Sequence, residues 1–153
     1  MPRTLIAVDP ATGRRGLLVE VHPEATAQAD PRGLAADLSR RLFERSIRVG
    51  LLFTPTTTLV VRDRVTETSF SANRFDIDAV ATGELLGFAQ LGAPRIGAGF
   101  YEQVRTWLEA VGSSWYSFLL PSAAPAMVPD VVGHLAQANL ETWDGLLERG
   151  DAA

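Results

Sequence analysis

Three observations predict an α/β chain whose sheet is covered by helices. Short apolar or β-branched runs occur at residues 4–8 (TLIAV), 15–22 (RGLLVEVH), 49–53 (VGLLF) and 57–62 (TTLVVR), each of strand length. Between and after them, apolar residues recur three or four apart, the helical period, first as Leu34, Leu38 and Leu42 and later as Phe100, Val104, Trp107, Leu108 and Val111. The run at 49–53 is apolar at every position, as a strand buried on both faces requires.

The elements follow in order. Residues 4–8 and 15–22 flank Asp9-Pro10-Ala11-Thr12-Gly13-Arg14, a turn-forming stretch, and read as a hairpin. After Pro23 and a polar connection, Asp30 is placed to cap a helix and Pro31 to open it. Ala35 and Phe43 flank its leucine stripe, and it should end near Ser46. Residues 49–53 and 57–62 form the third and fourth strands around Thr54-Pro55-Thr56. A polar loop is expected over 63–73, a short edge strand over 75–80, and a short helix from Thr82 or Gly83 to about Gln90. Residues 91–99 (LGAPRIGAG) read as a linker. The second helical stripe should stop at Gly112. Residues 115–120 are of undetermined type, 121–129 a loop, and Asp130 caps a last helix through Val131, Val132, Leu135 and Leu140.

The 153 residues suit one domain, with a core over about residues 3–90 and a helical, aromatic-rich C-terminal part over about 98–150. With 46% hydrophobic and 21% charged residues, the composition is that of a globular protein rather than a disordered or fibrous one. No run approaches the ~18 apolar residues of a membrane helix, and the N-terminus lacks the pattern of a secretory signal. The expectation is a cytoplasmic protein without membrane contact. The absence of cysteine excludes disulfides and thiolate metal sites. A formal net charge of −4 disfavours non-specific binding to nucleic acid. All 14 basic residues are arginine, so no site can use a lysine ammonium.

The candidate chemistry lies in the second strand. Alternation puts Leu18, Glu20 and His22 on one face and Leu17, Val19 and Val21 on the other, so a covered sheet leaves Glu20 needing a partner. Arg3, across the hairpin, or an arginine of the covering helix would supply one. His22, at the strand end, reads as a solvated or hydrogen-bonded structural residue.

The order hairpin, helix, buried strand, strand, with the triplet Glu20-Val21-His22 on the hairpin's second strand, resembles the PD-(D/E)xK nuclease superfamily over roughly residues 3–62. The resemblance implies a restriction-endonuclease-like core, a central mixed β-sheet flanked by helices. It also implies a divalent metal held by Glu20, with His22 in the place of the family's lysine. Histidine is a poorer fixed positive charge at neutral pH but can position or deprotonate water.

The family's first acid has no equivalent here. Asp9-Pro10 inverts the signature dipeptide, but a turn centred near Thr12 sets Glu20 opposite Thr4 or Arg3 and leaves Asp9 about five strand residues away, roughly 16 Å at ~3.3 Å each. Two carboxylates sharing Mg²⁺ must each bring an oxygen to about 2.1 Å. Asp9 therefore serves the turn.

Two functions follow. One is a PD-(D/E)xK-like interaction module without catalysis or cofactor, meeting a protein partner or a second copy of itself through its aromatic C-terminal half. The other is a nuclease using Mg²⁺ or Mn²⁺, with Glu20 and His22 catalytic and a second acid from Glu44, Asp37 or Asp63.

Other residues read as structural. Asp76 and Asp78 share a strand face as solvated edge residues, and Arg41, Arg45 and Arg48 form an exposed face near a helix C-terminus. His134 lies in an apolar context. Ser113, Ser114 and Ser122 lack a nucleophile elbow, and Gly97-Ala98-Gly99 lacks the strand before a phosphate loop. Phe100, Tyr101, Trp107, Trp115, Tyr116 and Phe118 read as core or partner face rather than a base-stacking platform.

Overall fold

The computed structural model describes residues 3–23, 31–64, 75–113, 135 and 139–142. Within these, the sequence forms β1 (Arg3–Val8), β2 (Arg15–Val21), α1 (Pro31–Arg45), β3 (Val49–Phe53), β4 (Thr57–Asp63), β5 (Phe75–Ala81), α2 (Thr82–Phe88), α3 (Ala98–Ser113) and β6 (Asn139–Thr142). The strands make one mixed sheet in the order β5-β4-β3-β2-β1-β6. β2 and β3 are parallel and every other neighbouring pair is antiparallel. The predicted α/β class, a mixed sheet flanked by helices, is what forms.

The hairpin turn between β1 and β2 follows from its residues. Asp9 Oδ1 accepts the Ala11 N–H at 2.9 Å, and Gly13 takes a positive φ of 73°. Asp9 thus serves the turn.

The two faces of the sheet have separate cores. One joins Ile6, Leu18, Leu52, Leu59 and Val61 to Ala35, Leu38 and Leu42 of α1. The other joins Leu17, Val19, Val21, Leu51 and Phe53 to Leu85 and Leu86 of α2 and to Phe100, Val104, Trp107, Leu108 and Val111 of α3. The Trp107 ring meets Phe53 edge-on, centroids 5.6 Å apart. Helices therefore cover both sides of β2 and β3, which explains the unbroken apolar run of β3. Gly50 lets α1 approach closely, because a Cβ there would stand 3.0 Å from Leu42 Cδ1 and 3.1 Å from Leu38 Cδ2.

α1 ends where the sequence placed its end. Ile47 N–H bonds Leu42 O and Ser46 N–H bonds Phe43 O, with Ser46 at a φ of 56°, a Schellman cap carrying serine where glycine is usual. α2 closes in the same way through Gln90, at a φ of 59°, with Leu91 N–H on Leu86 O.

Three expectations fail. Gly112 does not terminate α3, which runs to Ser113; a Cβ on Gly112 would lie 2.6 Å from Leu135 O, so the glycine allows close backbone approach. Leu140 belongs to strand β6, not to a helix, so the C-terminal part is not wholly helical: β6 covers the edge of β1, pairing Leu140 with Ala7. The polar loop expected from residue 63 starts later, since Asp63 still pairs with Phe75. The Asp30 cap, the loop beyond residue 64, the segments 115–120 and 121–129 and the Asp130 cap lie outside the described residues.

Candidate functional site

Strand alternation and helix placement together build the site. β2 lies between β1 and β3, with Glu20 opposite Thr4 on one side and Leu52 on the other. Leu18 and Glu20 face α1, as alternation predicts, and Glu20 is only 3% exposed. A carboxylate so far from water must be paired or protonated. It is paired: Arg41 of α1 donates its Nε–H to Glu20 Oε2, and His22 Nε2 lies 3.1 Å from Oε1. Each carboxylate oxygen thus has its own donor.

Burial pushes the Glu20 carboxyl group's pKa up, but the hydrogen bonds from His22 and Arg41 and their charges outweigh it, and the result lies below the ordinary 4.5. Glu20 is therefore ionised at neutral pH. An ionised carboxylate only accepts, so the proton of this contact sits on His22 Nε2. The His22 backbone N–H bonds Phe53 O at 2.8 Å, which places the residue beside β3.

Of the two candidate partners, the helix arginine holds Glu20. Arg3 turns to the opposite face, where its guanidinium stacks over the Tyr101 ring at 4.7 Å from the centroid. Of the three arginines read as an exposed face, Arg41 and Arg48 are exposed and Arg45 is half-buried, and Arg41 also reaches inward to Glu20.

The other candidates are not gathered at Glu20. Asp37 and Glu44 are exposed on α1. Asp63 lies four residues beyond Leu59, the β4 residue level with Leu52 and Glu20, or roughly 13 Å along the strand. Asp78 pairs with Arg62 at 2.9 Å and Asp76 with Arg64 at 3.6 Å, consistent with charges at the edge of β5. Among the described residues, no group of three His, Asp or Glu side chains is disposed to hold a metal ion. Phe100, Tyr101 and Trp107 are core residues. Ser114, Ser122, His134, Trp115, Tyr116 and Phe118 lie outside the described residues.

One polar residue that sequence reasoning passed over organises residues 91–97. Gln103, buried on α3, donates to Leu91 O at 3.0 Å and Ala93 O at 2.9 Å, and accepts from Arg95 N–H at 2.8 Å. The stretch read as a linker is therefore tied down, with Ile96 80% exposed. The signal was present: Gln103 falls next to Val104 on the buried side of α3, where an amide needs backbone partners.

These features define a three-layer α/β protein with a buried, charge-paired glutamate towards the carboxyl ends of its two parallel strands. Comparison with known proteins returns no matching family, no matching curated protein and no matching solved structure. Among the described residues, no helix is long and apolar enough to cross a membrane.

Proposed function

We propose that the chain is a cytoplasmic, non-catalytic interaction module with a PD-(D/E)xK-like core, acting as a subunit of a larger assembly through a protein partner or a second copy of itself. The observation that carries this reading is the occupation of Glu20. The cation at the carboxylate is the Arg41 guanidinium, and His22 takes the second oxygen. A divalent ion ligated by Glu20 would share the carboxylate with the positive Arg41 guanidinium, and the repulsion between the two cations opposes its binding. The acid that would share the ion is replaced by Thr4, which stands opposite Glu20.

A Mg²⁺- or Mn²⁺-dependent nuclease is the competing function. Glu20 and His22 do lie together on one face, which is what favours it. His22 would have to use Nδ1 on water, because Nε2 is committed to Glu20. Cleavage of DNA and RNA with Mn²⁺, by the wild type and by Glu20→Ala, separates the two. The interaction module cleaves neither. Metal-dependent cleavage that Glu20→Ala abolishes contradicts it.

A further inference from the structure

Arg41 is held in an unusual way for a residue of an exposed helix side. Its Nε edge is spent on a carboxylate that is 3% exposed, yet its own side chain is 45% exposed. A guanidinium is planar and carries five N–H donors, so fixing the Nε edge orients the whole fork. Among the described residues, Glu20 accepts its Nε–H; the four Nη N–H donors belong to a side chain that is 45% exposed.

The surroundings have a sign. Arg45 and Arg48 follow at i+4 and i+7, and Arg40 stands beside Arg41, against Asp37 and Glu44. With Glu20, which Arg41 neutralises, that is a local excess of one positive charge on a chain of formal net charge −4.

We propose that Arg41 is a preset docking point for a carboxylate of an acidic segment in a protein partner. This rests on the non-catalytic reading and names the chemistry of its partner. Two parallel N–H···O bonds to a carboxylate match the fork, and the orientational entropy of the arginine has already been met by Glu20. A carboxylate segment needs only this fork and its neighbours. A nucleic acid needs several phosphates neutralised at once.

The probe is fluorescein-labelled hexaglutamate, followed by fluorescence anisotropy at low ionic strength. The wild type binds saturably. Arg41→Lys keeps the charge but loses the fork, and weakens binding about fivefold or more. Arg95→Gln removes an exposed charge from the opposite face of the sheet and leaves binding unchanged. Side-chain ¹⁵N arginine spectra of the wild type need no variant: the peptide shifts the Arg41 Nη signals and leaves those of Arg95 in place. The proposal is overturned by no saturation at millimolar peptide, by equal binding of Arg41→Lys, by an Arg95→Gln effect of the same size, or by oligothymidylate of equal charge binding more tightly than the peptide. Failure here, without metal-dependent cleavage, removes the acidic partner and leaves the non-catalytic module standing. Glu20-dependent cleavage removes that reading itself.

Discussion

Replacing Arg41 by methionine keeps the packing stem on α1 and deletes the cation, leaving Glu20 ionised in a site 3% open to water. Breaking a fully buried pair by removing one partner costs about 3–5 kcal/mol. Arg41 is 45% exposed, so solvent already screens its charge, and His22 still donates to Glu20. We therefore expect a loss of about 1–3 kcal/mol at pH 7. Urea unfolding followed by tryptophan fluorescence measures it as a lower midpoint at unchanged slope.

The pH dependence carries a sign. Glu20 has its folded-state pKa depressed below 4.5. Its contribution is therefore complete above 4.5 and is lost as pH falls through the folded-state value. The gap between wild type and Arg41→Met should narrow in acid. Glu20→Gln combined with Arg41→Met should recover part of the loss, because no charge is then left buried. A variant within about 0.5 kcal/mol of wild type at pH 7, or a gap that persists below the carboxylate range, refutes the account of this pair.

Three further outcomes follow from the packing. Gln103→Leu strips three hydrogen bonds from residues 91–97 and should cost about 1–3 kcal/mol; hydrogen exchange should quicken at the Arg95 amide and stay slow in β3. Gly112→Ala should destabilise by about 1–3 kcal/mol in a thermal melt, against the helix propensity of alanine, because the new Cβ would meet Leu135 O. Ser46→Gly should stabilise by about 0.5 kcal/mol in chemical denaturation, since it relieves a left-handed serine at the α1 cap.

Local pattern made much of this fold legible. The alternation of Leu17 to His22 and the leucine stripe of α1 are periodic signals, and both faces were assigned correctly from them. The need of Glu20 for a cation also followed from alternation and burial. The choice between Arg3 and a helix arginine did not, because it depends on where α1 crosses the sheet, and Gly50 helps set that approach.

β6 was missed for a physical reason. Asn139 to Thr142 is four residues long, and Leu140 is recruited by the open edge of β1 rather than by any periodicity of its own. Its spacing of five from Leu135 fits no helical stripe and was the available warning. Gly112 was misread because a glycine placed for a neighbour's carbonyl looks, in sequence, the same as one placed to end a helix.

The central claim is that Glu20 is held by Arg41 and His22 as a structural ion pair and not as a metal ligand. Calorimetric titration of the wild type and of Glu20→Gln with Mn²⁺ tests it most directly. The account predicts no saturable site at millimolar metal that the substitution removes. A saturable Mn²⁺ site present in the wild type and lost in Glu20→Gln contradicts it.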